Sequence, residues 1–419
     1  MSTHRSAPSV DAPVIVVGAG PVGLTLALIL RRLHVDALVV EQRIDANGHS
    51  RAIGVTPPSL AIMERAGLAQ DFCRHGVAIR AAAVHDDRRV TARLDFSELP
   101  GAYPFILSLP QVTTERLLLD KLLREGGSVM TDVRVEQVMD AGDRVTVRAR
   151  RADGRPLSLT ARYVCGCDGL DSTVRDAVIG SGPAYRYPQS FVMADYSDTT
   201  DLAEEAHIFF TPAGSVESFP LPDQHRRWIA QTSGPGGSPS GHRLEELVAH
   251  RTGFCLPEPH RLWLTSFDVR RTFAADMVES RVFLAGDAAH TIPPIGGQGM
   301  NLGIGDAEHL ADLLANALAS GGVDPRMARA YARRRMTAAR VAGRRSAAAM
   351  RIGTIRGRAG SWARNRLISA LLSSAFRRTV LRHFAMVSAP NSRSPWRADG
   401  FAESGDREQS DHQRPAANG

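Results

Sequence analysis

The chain is nearly devoid of lysine: of 51 cationic side chains only Lys121 is one, and the rest are arginines. Such a bias looks like the codon usage of a G+C-rich genome. The arginines are spread out rather than interleaved with aromatics, so the net charge of +7 does not describe a nucleic-acid footprint. Aromatic residues are themselves scarce, at 6%. Cysteine is limited to Cys73, Cys165, Cys167 and Cys255, with no C-x-x-C pair. That excludes a zinc ribbon and a disulfide framework and leaves reduced thiols of an intracellular protein, so a cytoplasmic location without a metal site is expected. Long unbroken apolar runs are missing too. Residues 14–30 carry no charge and approach the length of a signal anchor, but Gly18-Ala19-Gly20-Pro21 falls in their middle and no small-residue cleavage site follows. No transmembrane segment is expected. The densest basic region, residues 326–382, has helical patterning and reads as a solvated face.

What the chain does have is length and apolar content, 419 residues at 43% hydrophobic, enough for two domains. Val14-Ile15-Val16-Val17 is a buried-strand run, residues 24–33 are helical, and Ala37-Leu38-Val39-Val40 is a second strand ending on Glu41. This is a βαβ unit and implies a parallel sheet. Helices follow over 57–67 and 113–124, and alternating runs around Val133-Arg134-Val135 and 145–148 predict hairpin strands. Between Ser190 and Phe273 the texture changes to short strands with polar breaks, as expected for a sheet inserted into the first domain. The expected fold is therefore α/β: a Rossmann-like nucleotide-binding domain with a parallel sheet, an inserted and mainly antiparallel sheet domain, and a helical C-terminal region. The expected boundaries are 12–185 and 273–345 for the two parts of the first domain, 186–272 for the inserted sheet, 346–390 for C-terminal helices and 391–419 for a polar, disordered tail.

Two stretches carry chemistry. Gly18, Gly20 and Gly23 fit G-x-G-x-x-G directly after a strand and opening a helix, with Glu41 at the end of the next strand. Those glycines permit a tight turn and close approach of a pyrophosphate to helix N-terminal N–H groups, and Glu41 is placed to accept from ribose hydroxyls. Far along the chain, residues 281–307 read RVFLAGDAAHTIPPIGGQGMNLGIGDA: a strand, an acid at its end, a Pro/Gly-rich loop and a helix start. Asp287 is placed to accept from ribityl hydroxyls. The helix opening at Gly299-Met300-Asn301 can aim its positive end at a flavin pyrimidine edge, where it would stabilise the anion formed on reduction.

With these residues the chain resembles the FAD-dependent aromatic hydroxylases typified by para-hydroxybenzoate hydroxylase. Three signatures carry the resemblance: Gly18-Ala19-Gly20-Pro21-Val22-Gly23 with Glu41; Cys165-Gly166-Cys167-Asp168-Gly169 followed by Ser172 and Arg175; and Gly286-Asp287 with Pro293, Pro294, Gly299 and Asn301. The resemblance implies FAD as cofactor. It places Arg51 on the pyrophosphate, Gln111 on the cofactor, the Val135 backbone on adenine, and Asp168 and Arg175 in a motif shared between FAD and NAD(P)H. A lone glycine fingerprint leaves no second Rossmann domain for nicotinamide, so NAD(P)H is implied as a transient co-substrate. His290 is expected to be structural.

The implied reaction is NAD(P)H- and FAD-dependent hydroxylation of an aromatic or polyketide-like small molecule through a flavin C4a-hydroperoxide, with O₂ as the second substrate. A substrate pocket is expected between the domains, lined by Met193, Phe210 and Trp228, with Pro293 and Pro294 near the flavin and His207 as a candidate proton donor. No other acid or base is assigned. A Baeyer–Villiger oxygenase or another flavin oxidoreductase on the same fold is the alternative. A non-catalytic flavin-binding protein that touches membranes through its basic C-terminal region is a more distant one. The halogenase W-x-W-x-I-P run is absent. Larger relatives that act on polycyclic polyketides carry a thioredoxin-like C-terminal domain, for which the residues after Met386 are too few. Substrate identity and the choice between monomer and homodimer stay open.

Overall fold

The computed structural model describes residues 10–44, 52–86, 89–232, 241–294 and 297–387; the expectations for Arg51 and for the tail 391–419 lie outside the described residues. The strand Ala12–Val17 is apolar throughout because it sits in the middle of a parallel sheet with both faces covered. It pairs with Ala37–Val40 on one side (Val14 with Ala37) and with Pro156–Gly166 on the other (Val16 with Cys165), and Val282–Leu284 continues the parallel set beyond. The far edge is Ser128–Met130, next to Ala37–Val40. The expected hairpin strands, Val133–Asp140 and Val145–Arg151, form an antiparallel extension on Pro156–Gly166. Helix Pro21–Arg32 makes the first crossover, with Gly20 as its N-cap and proline in its first turn, where the missing N–H costs nothing.

A second eight-stranded sheet runs in the order 290–291, 261–274, 181–197, 225–232, 214–221, 206–211, 81–86, 89–95. Its last two strands, Ala81–Asp86 and Arg89–Asp95, come from inside the segment expected to belong wholly to the nucleotide-binding domain. The alanines at 81–83 are weak strand formers, so the local signal is poor. What makes this segment a strand is parallel pairing with Ala206–Thr211, Ala82 opposite Ala206 and Val84 opposite Ile208. One face of this sheet packs on helix Gly241–Thr252 through Phe209, Val216, Trp228, Ala230, Leu244 and Val248.

The long helix Gln298–Ala319 lies directly against the first one. A Cβ on Gly303 would fall 2.5 Å from Val22 Cγ2 and 2.9 Å from Gly286 Cα, so this glycine sets how closely the two helices and the 286 loop approach. Gly303→Val is expected to destabilise the fold by about 1–3 kcal/mol through forced separation of these elements, read as a lowered thermal midpoint. Helices Pro325–Gly353, Arg358–Ser373 and Arg377–Phe384 complete the described residues. The last two lie over the edge of the second sheet, where Leu372, Leu381 and Ala385 meet Ile79, Val84 and Leu94. Among the described residues no helix is long and apolar enough to cross a membrane, and the four cysteines are unpaired.

Candidate active site

At the first βα turn the backbone is compressed as the glycine spacing requires. A Cβ on Gly23 would lie 2.0 Å from the Gly18 carbonyl oxygen, so the helix packs onto the turn only without a side chain there. Gly20, by contrast, has open space where its Cβ would be, on the side facing the central cavity. Glu41 Oε2 accepts from the Ala19 N–H at 2.7 Å, and Oε1 accepts from Arg43 N at 2.9 Å and Arg43 Nε at 3.0 Å. Burial pushes the pKa of Glu41 up, but the Arg43 and Ala19 hydrogen bonds outweigh it and hold the carboxyl below the usual carboxylate range. A carboxylate offers about four acceptor sites and three are taken here, which leaves room for one ribose hydroxyl. Arg43 also lies 3.9 Å from Glu115, a buried acid whose pKa is raised by burial and which accepts from Gln111 Nε2 at 2.8 Å. Gln111 opens helix Gln111–Arg124 and lines the cavity. Val135 is buried in its strand, and Asp168 turns inward: its carboxylate accepts from Ser172 Oγ and from Val174 N. Arg175 is likewise consumed by protein groups, donating to Asp176, Ser181 and the Leu170 carbonyl and, across to the 286 turn, to the Ala288 carbonyl at 3.4 Å, so both residues shape the site's frame while the neighbours Gly169, Leu170 and Asp171 form cavity wall.

The second half of the site is organised by a residue for which the local pattern gave no sign. Asp306, fully buried in the 298–319 helix, accepts from Gly286 N at 3.0 Å, from Arg335 Nε at 2.6 Å and pairs with His290 Nε2 at 2.6 Å. Burial alone would raise its pKa, yet the charges of His290 and Arg335 and these hydrogen bonds bring it down to about 2. The Gly286-Asp287 turn is thus pinned from below, and Asp287 is left pointing into the cavity. Its side chain is exposed, but to the cavity rather than to bulk water, and being deep within protein raises its pKa. Asn301 has its side-chain amide taken up by protein groups. It accepts from Thr56 N and Oγ1 at 2.9 and 3.1 Å and donates to the Gly54 and Gly297 carbonyls, both at 2.8 Å, spending its amide on stapling the helix start to the strand Gly54–Val55. That helix begins at Gly297 with no side-chain cap, and Gly299 and Met300 border the cavity, so its first N–H groups are available to an acceptor there.

These two halves border one cavity of about 1030 Å³. Gly20, Gln111, Asp287, Gly299 and Met300 stand on one side, and the second sheet forms the other. An elongated dinucleotide fits this donor set: an open helix start at each half, a carboxylate with a spare acceptor site at the adenosine end, and at the far end a second carboxylate, that of Asp287, with no hydrogen-bond donor among the described residues. Met193 and Phe210 lie on the cavity wall as expected, and so does Pro294. Trp228, His207 and Pro293 do not. The side-chain period of two puts Trp228 and His207 on the sheet's other face. There Trp228 is packed under helix Gly241–Thr252, and His207 bonds His85 Nε2 at 3.0 Å and the Leu202 carbonyl at 3.1 Å. Burial lowers the pKa of His207, and with both ring nitrogens engaged on the far face it does not reach this cavity. Pro293 is buried beside the loop rather than on its inner surface.

One wall residue was not anticipated. The register aligns Val84, Ile208, Glu217, Ile229 and Met193 directly across five strands, a row in which Glu217 is the single charge. Its carboxylate borders the cavity without a hydrogen bond or ion pair to any described residue, and burial pushes its pKa up to about 7.

Residues 11–346 match the family described as FAD binding domain. The chain is 35% identical over 319 residues to 6-methylpretetramide 4-monooxygenase of Streptomyces rimosus, covering 74% of this chain and 57% of that one. It thus spans little more than half the length of that relative. To rifampicin monooxygenase of Rhodococcus hoagii it is 32% identical over 381 residues, 86% of this chain and 74% of the relative. Its structure superposes on that of p-nitrophenol 4-monooxygenase from Pseudomonas putida DLL-E4 with a TM-score of 0.81 at 25% identity, over 90% of this chain and 98% of the other. With two distant segments converging on one cavity and a family match running through both, the chain belongs to the FAD-binding aromatic hydroxylase family of the para-hydroxybenzoate hydroxylase type, and FAD is its cofactor.

Proposed function

We propose that this protein is an NAD(P)H-dependent flavin monooxygenase that hydroxylates an aromatic or polyketide-like small molecule with O₂. The observation that carries the reading is the single cavity, shared by the Asp287 side of the FAD site and an apolar sheet face. When bound, FAD supplies electron transfer from the nicotinamide and activation of oxygen. The chain's own residues do the rest. Glu41 and the first helix start hold the adenosine half, Asp287 and the 298–319 helix start orient the reactive half, and the sheet wall holds a flat substrate while excluding water. The C-terminal helices close the cavity with Met350, Leu372 and Phe384. Relatives named for a pretetramide, a rifamycin and p-nitrophenol support an oxygenated ring as substrate. The buried thiols Cys165 and Cys167, pushed up by burial and unpaired, fit a cytoplasmic setting.

The test is anaerobic reduction of the yellow holoprotein by NADH and by NADPH against a panel of phenols, naphthols and anthraquinones, followed by turnover under labelled O₂. One ligand should accelerate flavin bleaching at least tenfold, roughly, and leave with one labelled oxygen on its ring. Reduction indifferent to every ring compound, or a product with the label inserted between ring carbons, would defeat hydroxylation.

A further inference from the structure

Glu217 occupies a position that packing alone does not explain. The strand Gly214–Leu221 is central in the sheet, its inner-face neighbours across both partner strands are Ile208 and Ile229, and the residues two before and after it on that face are Ser215 and Phe219. A charge in such a row is costly unless paired, yet no described residue donates to this carboxylate. The other charged residues bordering the same cavity are Asp171, Arg243, Asp268, Arg270 and Asp287. None of them sets its acidity; burial alone does. An unpartnered acid kept on the wall of an apolar cavity is a group waiting for a donor that arrives with the ligand.

We propose that Glu217 is the substrate's hydroxyl receptor and base: its carboxylate accepts a hydrogen bond from a phenolic or enolic O–H and takes that proton, leaving the ligand as its oxyanion. The step balances as one O–H bond broken on the ligand and one formed on Oε of Glu217, with no electron change. This deepens, and rests on, the hydroxylase reading, because a ring carrying an oxyanion is more electron-rich and better able to accept an electrophilic oxygen. An ordinary carboxylate near 4.5 is a poor base toward a phenol near 10, whereas Glu217 at about 7 is far better matched, and acidified phenols or enolised diketones close the gap further. The inferred substrate class is therefore a flat, mostly apolar molecule with one acidic hydroxyl directed at the middle of the second sheet.

The experiment uses FAD-loaded full-length protein and two probes of the same ring system, 1-naphthol and its methyl ether, with the flavin absorbance change as the binding signal at pH 6 and pH 8.5. Wild type should prefer the naphthol by roughly tenfold or more at pH 8.5, the scale of one hydrogen bond to a charged group, and less at pH 6, where Glu217 is protonated. In Glu217→Gln, isosteric but unable to take a proton, and in Glu217→Ala the preference should collapse at both pH values while FAD content is retained. A wild type that binds neither probe, or binds both alike, overturns the assignment, as does a preference that survives both substitutions. The two readings fail separately. Naphthol-stimulated NAD(P)H oxidation that is identical in wild type and both variants leaves hydroxylation standing and removes Glu217. Selective naphthol binding that depends on Glu217 but triggers no NAD(P)H oxidation does the reverse.

Discussion

Asp306→Ala is expected to cost about 3–5 kcal/mol of stability, enough to leave the protein barely folded at room temperature. Much of that loss is not the attraction itself. Truncation leaves Arg335, 4% exposed, and His290, 1% exposed, without the carboxylate that offsets their desolvation, and it frees the Gly286 N–H. A denaturant melt measures the loss, and the double variant Asp306→Leu/Arg335→Leu should recover part of it, because removing both charges removes the uncompensated one. The pH dependence follows from the depressed pKa of Asp306. A carboxyl at about 2 in the fold and 3.8 in the unfolded chain contributes stability that is fully present above the unfolded value and lost as pH falls through the folded one. The wild type should therefore lose this contribution, about 2 kcal/mol, between roughly pH 4 and pH 2, and the alanine variant should show no such component. A loss under 1 kcal/mol at neutral pH, roughly the scale of a surface pair, would show that the node does not pin the 286 turn.

Asp287→Ala should act in the opposite sense on fold and cofactor. The carboxylate carries a desolvation penalty that no hydrogen-bond donor among the described residues repays, so its removal should leave the apoprotein as stable as before or slightly more so. If it accepts from FAD hydroxyls, its loss removes a charged hydrogen bond worth about 1.5–3 kcal/mol, a roughly tenfold to hundredfold weaker affinity. Titration of apoprotein with FAD, followed by quenching of flavin fluorescence, gives the dissociation constant, and a thermal melt of the apoprotein supplies the control. An affinity within about twofold of wild type would remove Asp287 from the cofactor site. Asp306→Ala, in the helix beneath the 286 turn, and Asp287→Ala, on the turn itself, are thus separated by which observable moves first.

The parts of this molecule legible in its sequence are those in which local chemistry and tertiary role coincide. Gly18, Gly20 and Gly23 stand between a wholly apolar strand and a helix with Pro21 at its start, so spacing and structure agree. Gly286-Asp287 ends another buried strand, Val282–Leu284, for the same reason. Where the reading failed, long-range pairing decided. Trp228 and His207 belong to short strands whose composition does not reveal which face is inward, and a period-two pattern misread by one position moves every side chain to the other side. Asn301 carries the family's motif but spends its amide on Thr56, Gly54 and Gly297, partners some 245 residues away or one turn back. Asp306 and Glu217 had no local signal at all: an acid in a helix or a strand ordinarily faces water, and only the assembled layers show that these two do not.

The shared origin of the second sheet reaches beyond catalysis. Because the paired strands 81–86 and 89–95 are laid down early in synthesis and the strand that joins 81–86 to the rest of the sheet, 206–211, emerges more than a hundred positions later, that wall is completed only after much of the polypeptide exists. Recombining this protein with a relative by exchanging 186–272 alone would graft a wall onto a foreign border. A chimera meant to alter ligand preference must carry 81–95 along with it.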